Sequence, residues 1–203
     1  MSEILEKLEN FSEENFEQNV SGFPELYEII DGAKCVVGVP TKEHQRVVFE
    51  IAKQLGIYLE NKSCEVYISP YALNVREFLG AIPFDFKDRY YYPDIVVICE
   101  NAKTTKEDLE EIPSFIVEVA SPSTFYNDMN GKLRVYERMG VKEYWVVVNP
   151  FHVLTYVLGE DGYQVKGYKT LTGVLTIPVT IFPDLSIVLD ESKLFKVLKF
   201  IKT

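Results

Sequence analysis

The sequence predicts a mixed α/β (α+β) domain around one hydrophobic core, and three observations carry that prediction. Apolar residues recur at helical spacing over residues 41–56 and 127–139. Strand-like apolar runs stand between and after these segments. No composition break, internal repeat or low-complexity tract divides the 203 residues, of which 47% are apolar and 26% charged, so a single domain able to bury a sizeable core is expected.

Residues 1–19 hold six Glu and one Lys, with Ile4, Leu5, Leu8 and Phe11 spaced as on a helix. They read as an acidic amphipathic appendage, with residues 20–203 as the domain proper. Such acidity is the opposite of a signal peptide or presequence. No apolar run reaches the roughly 18 residues of a membrane helix, so no membrane partner and a cytoplasmic location are expected. In LYEIIDGAKCVV (26–37), two apolar runs flank Asp31-Gly32, which predicts a hairpin. Thr41, after Pro40, is a candidate N-cap. The helix that follows lines up Val47, Val48, Ile51, Ala52 and Leu55, with Gly56 as the expected stop.

Then come the strand candidates CEVYIS, YALNV, PDIVVICE and SFIVEVA. The last two are apolar enough to be central strands covered on both faces. Residues 101–111, polar and acidic, read as a loop or short helix. A second helix runs from Asn127 to Met139, stopped by Gly140, before the buried strand EYWVVVNP. A hairpin turning at Glu160-Asp161-Gly162, further short strands in GVLTIPVTIFPDLSIVLD and a basic helical tail, ESKLFKVLKFIKT, complete the chain.

The formal net charge is −10, from 21 Lys+Arg and 31 Asp+Glu. A histone-like or nonspecific coating role is excluded, and any nucleic-acid role needs a local cationic patch or bound metal ions. Cys35, Cys64 and Cys99 are scattered and form no CxxC pair, so they read as buried free thiols in a reducing compartment.

Charged residues inside apolar strands are the informative ones, because burying a charge is costly unless something compensates it. Asp94 opens the run IVVIC after Pro93, and Glu118 interrupts FIVEVA. On neighbouring strands the two carboxylates can share a cleft and a hard divalent cation, Mg²⁺ or Mn²⁺, whose oxygen distances of about 2.1 Å require the carboxylates to lie within about 5 Å of each other. Lys132 is the third candidate. Helical spacing puts Asp128, Lys132, Tyr136 and Met139 on one face, with Arg134 and Arg138 on the other. A lysine facing two metal-bound carboxylates orients or deprotonates a water and stabilises charge on phosphorus.

Each residue also has a bland reading. Asp94 caps a turn or pairs with a basic residue, and Lys132 pairs with Asp128 on a solvated face. Glu50 is a surface carboxylate rather than a ligand, and His44 a hydrogen-bonded surface histidine rather than a cleft residue. His152 is structural, Ser121 belongs to a turn capping the next helix, Tyr90, Tyr91 and Tyr92 pack rather than stack on bases, and Trp145 is core.

PDIVVICE, FIVEVASPST and DMNGKLRVYERMGVKEYWVVVNP together resemble the Uma-two family, which is grouped with restriction-endonuclease-like folds of the PD-(D/E)XK type. The resemblance runs from about Pro24 to Phe195. It implies a mixed central sheet flanked by helices, with additional antiparallel hairpins. It also implies Asp94 and Glu118 as Mg²⁺ ligands; the Val119 carbonyl is a natural further ligand, because the residue after the acidic ligand lies at the same strand edge. Ala120 stands where the motif lysine would be, and Lys132 matches a lysine migrated to the following helix, with Asp128 as its helper. Asn149 stands where the family commonly shows an acid. The implied activity is endonucleolytic hydrolysis of DNA to a 5′-phosphate and a 3′-hydroxyl, by a homodimer. The competing class is a non-catalytic interaction or regulatory protein on the same scaffold.

Overall fold

The computed structural model describes residues 26–79, 89–100, 111–148 and 152–194. The acidic appendage, residues 101–110, Asn149 and the tail beyond residue 194 lie outside them. Strands β1 (Tyr27–Ile30) and β2 (Ala33–Val36) form the expected hairpin. Asp31 and Gly32 turn it at φ 50° and 79°, the left-handed pair that a two-residue turn of this twist requires.

Helix α1 (Lys42–Leu59) begins as predicted, with the Thr41 hydroxyl accepting the His44 N–H at 3.2 Å. It does not stop at Gly56. Leu59 continues the buried face of Val47, Val48, Ile51 and Leu55, and that burial outweighs the roughly 1 kcal/mol that an internal glycine costs.

Strand β3 (Cys64–Ile68) follows, then two-residue strands β4 (Leu73–Asn74) and β5 (Tyr90–Tyr91), which pair with each other. Next are β6 (Ile95–Cys99) and β7 (Phe115–Ala120). A helical crossover consists of α2 (Phe125–Asn127), a π-helical turn over Asp128–Lys132, and α3 (Leu133–Met139). Gly140 ends it at φ 85°, as its position in the sequence predicts. Strands β8 (Glu143–Val148), β9 (His152–Gly159) and β10 (Gly162–Thr170) follow, then the hairpin of β11 (Val174–Pro178) and β12 (Ser186–Asp190), and α4 (Glu191–Leu194).

Six strands form one mixed sheet in the order β10-β9-β8-β7-β6-β3. Its single parallel pair is β7–β8, which is why a helical crossover must join those two strands. PDIVVICE and SFIVEVA are central and antiparallel to each other. Alternation along them builds two cores. Ile95, Val97, Phe115, Val117, Val119 and Trp145 pack with α1 and the β11–β12 hairpin. Ile116, Ala120, Tyr144 and Val146 pack with α3 and Tyr91. Glu118 falls between Ile116 and Ala120 in the strand's alternation and therefore faces the second core. Among the described residues, no helix is long and apolar enough to cross a membrane.

The free-thiol reading fails for two of the three cysteines. Antiparallel register sets Cys64 directly opposite Cys99, and the two form a disulfide between β3 and β6. Only Cys35 is free, so the cysteines no longer argue for a reducing compartment. The crossover packs tightly on the hairpin at Gly131, where an added Cβ would overlap Ile30 Cγ2. Gly131→Ala is expected to destabilise the fold by about 1–3 kcal/mol, measured by chemical denaturation, because the buried Ile30 cannot move away freely.

Candidate active site

Asp94 stands one residue before β6. Continuing the Ile95–Val117 register by one step sets Asp94 opposite Glu118, at one end of the two central strands. The Asp94 Oδ2 accepts the Val119 N–H at 2.7 Å and lies 3.1 Å from His44 Nε2, on the first turn of α1. His44 is thus hydrogen-bonded, as expected, but half-buried against Asp94 rather than on the open surface. The signal was present in the sequence, since His44 precedes Val47, Val48 and Ile51 by three, four and seven residues and so shares their buried face.

Glu118, 3% exposed, takes two hydrogen bonds on Oε1, from Lys132 Nζ at 3.0 Å and from the Tyr136 hydroxyl at 2.8 Å. Lys132, 6% exposed, has two further carboxylates around it: Glu28 Oε1 at 3.0 Å and Asp128 Oδ1 at 3.7 Å. The solvated-face reading of the Asp128–Lys132 pair is thus overturned, because the second core closes over both residues. Glu28 comes from β1 and also accepts the Tyr92 N–H at 2.8 Å. Sequence reasoning passed over Glu28, although an acid beside Ile29 and Ile30 is the same signal that marked Glu118. Among the described residues, two buried side-chain polar atoms have no hydrogen-bond partner, Asp128 Oδ1 and His44 Nδ1.

Tyr91 and Tyr92 border this cluster, Tyr91 with the Lys132 ammonium 5.8 Å from its ring centroid and Tyr92 through its N–H on Glu28, whereas Glu50, Ser121, His152 and Trp145 stand apart from it. Glu50 pairs with Lys53 at 2.7 Å. The Ser121 carbonyl accepts the Thr124 and Phe125 N–H groups in a turn. His152 Nδ1 lies 3.0 Å from the Tyr168 hydroxyl. Tyr91 and Trp145 are core residues.

Three buried carboxylates around one ammonium leave an excess of negative charge. Burial pushes the Glu118 carboxyl well above the usual range; Lys132 opposes this, while Asp128, Asp94 and Glu28 add to it. Burial would lower Lys132, but the Glu118, Glu28 and Asp128 carboxylates outweigh it and hold the ammonium well above the ordinary lysine value. His44 is also raised, its burial outweighed by the hydrogen bond and charge of Asp94.

Asp128 is pushed up from 3.8 to about 6, by burial first, against the opposing pull of Lys132. A carboxyl raised on folding contributes stability that is whole below about pH 3.8 and lost as pH rises through about 6. Stability is therefore expected to fall across that window, by no more than about 3 kcal/mol from this group. Thermal melts from pH 4 to 7 should show the fall, and Asp128→Asn should flatten it.

Asp94, Glu118 and the Val119 carbonyl offer only oxygen donors, the set a hard divalent cation prefers, and Asp128 Oδ1, which has the Lys132 ammonium at 3.7 Å but no hydrogen bond, marks the crowding of carboxylates such an ion would offset. Among the described residues, no three His, Cys, Asp or Glu side chains converge closely enough to form a metal-holding group by themselves.

A family model described as "Putative restriction endonuclease" matches residues 14–190. The chain belongs to the Uma2 (Uma-two) family. Two uncharacterized proteins of Synechocystis sp. are similar to this Uma2 chain. One is 26% identical over 129 residues, covering 63% of the chain and 68% of its own length. The other is 24% identical over 125 residues, covering 62% of the chain and 61% of its own length. The crystal structure of "a putative nuclease belonging to DUF820" from Anabaena variabilis aligns with a TM-score of 0.59, over 88% of this chain and 96% of that one. At 16% identity that likeness shows the fold, and the Uma2 chain has the nuclease-type architecture its motifs led us to expect. Family and fold together support a nuclease-like function.

Proposed function

We propose that this protein is a metal-dependent endonuclease that hydrolyses DNA phosphodiester bonds to 5′-phosphate and 3′-hydroxyl ends. One observation carries the reading beyond the family: Glu28, Glu118 and Asp128 surround the single Lys132, with Asp128 Oδ1 lacking any hydrogen-bond partner. Three buried carboxylates that share one ammonium, with one oxygen left without a hydrogen bond, are unfavourable in a purely structural cluster. Asp94, Glu118 and the Val119 carbonyl would hold Mg²⁺ or Mn²⁺. Such an ion, when bound, polarises a phosphoryl oxygen and acidifies water.

The chain's own residues do the rest. The Val119 N–H and His44 fix the Asp94 carboxylate, and Tyr136 fixes Glu118. Lys132, held firmly protonated, acts as a hydrogen-bond donor that orients the attacking water or stabilises charge on phosphorus, rather than as a base. Asp128 is the helper that keeps it charged. A homodimer would bring one such site to each DNA strand, and sedimentation equilibrium would test for it.

The second reading, a non-catalytic interaction protein on this scaffold, is favoured by Ala120 in place of the motif lysine and by the full hydrogen bonding of Glu118 Oε1. Incubation with plasmid and oligonucleotide DNA plus Mg²⁺ or Mn²⁺ decides between them. We expect cleavage that disappears in a folded Asp94→Ala variant. No cleavage and no metal binding under any condition would leave the scaffold reading standing.

A further inference from the structure

Lys132 Nζ is equidistant from two carboxylates, 3.0 Å from Glu28 Oε1 and 3.0 Å from Glu118 Oε1. The two arrive from different elements. Glu118 lies on the central strand β7 at the end that also carries Asp94, whereas Glu28 lies on the β1 hairpin. Glu28 is itself held, since the Tyr92 N–H donates to the same Oε1 at 2.8 Å. A lysine bonded to Glu118 competes with any cation for that carboxylate, because both need its negative charge and its lone pairs. The competition is eased only if the ammonium has another anion to retain it, since an unpaired buried ammonium is strongly unfavourable.

We propose that Glu28 is a positioning residue that anchors the Lys132 ammonium when Glu118 turns from lysine to a divalent cation. The inference rests on the metal-dependent reading above. The anchor requires both charge and reach. Glu28→Gln keeps the length and the acceptor for the Tyr92 N–H but loses the charge, whereas Glu28→Asp keeps the charge but withdraws the carboxylate by one methylene.

The test is isothermal titration of the full-length wild type and both variants with Mn²⁺ alone, with thermal melts to establish folding and cleavage kinetics alongside. We expect each variant to weaken Mn²⁺ binding by tenfold or more and to lower kcat more than it raises KM. Weakening in Glu28→Gln only would mean that Glu28 acts on the ion through bulk charge, which overturns the anchor. Unchanged affinity in both variants, with only their melting temperatures lowered, would mean a purely structural residue and also overturns it. If the wild type binds no divalent cation, the metal-dependent function falls, and the anchor falls with it. The three failures are therefore distinguishable.

Discussion

Lys132→Met is expected to cost the fold about 3–5 kcal/mol at pH 8, the range found when one partner of a buried ion pair is removed. Among the described residues, Lys132 is the one cation paired with Glu28, Glu118 and Asp128, so methionine leaves three buried carboxylates facing one another. Volume is nearly conserved, and the loss is therefore electrostatic rather than a matter of packing. That origin can be checked, because acid relieves it: protonated carboxyls no longer repel. Urea denaturation at pH 8 and pH 5 should show a large deficit at the first and a much smaller one at the second, with m-values unchanged. A deficit equal at both pH values would mean that the cluster is held by packing, with charge a minor part.

Glu118→Gln should separate stability from activity. Glutamine preserves the acceptor on which Lys132 and Tyr136 converge and removes a charge that burial already disfavours. The folded state is expected to be as stable as the wild type or more so. If the site hydrolyses DNA as proposed, kcat should fall by at least roughly 10²–10³, the scale of losing one well-placed electrostatic group. A stable variant that still cuts would remove Glu118 from the machinery and leave its carboxylate without a catalytic purpose.

Glu118 was legible in the sequence because an ionisable residue interrupts a continuous apolar strand only where something compensates it, and Asp128 and Lys132 because helical spacing puts them on one face with Tyr136. Glu28 and His44 carry the same mark, an acid among β-strand apolars and a histidine on the buried face of a helix, but choosing them requires knowing what they meet. Glu28 becomes meaningful only when the hairpin docks on the crossover, and His44 only when α1 settles against the Asp94 end of the sheet. The Cys64–Cys99 bond is a fact of register, and register between strands separated by intervening elements leaves no local trace. The central strands were clear because burial on both faces writes itself as a continuous apolar run. The end of α1 was not, since glycine is a weak stop wherever the apolar face continues.

The seating of the β1–β2 hairpin on Gly131 also fixes an order of events during synthesis. Glu28 and Lys132 lie about a hundred residues apart in sequence, so their meeting closes a long loop whose entropy cost the local hairpin does not share. The hairpin leaves the ribosome early and waits for the crossover that receives it. Until then Lys132 has only part of its ring of carboxylates, and the cluster does not exist in its assembled form. A chain in which the hairpin has not docked on the crossover thus lacks the complete charge arrangement, and whatever chemistry that arrangement performs is confined to molecules in which the two have met.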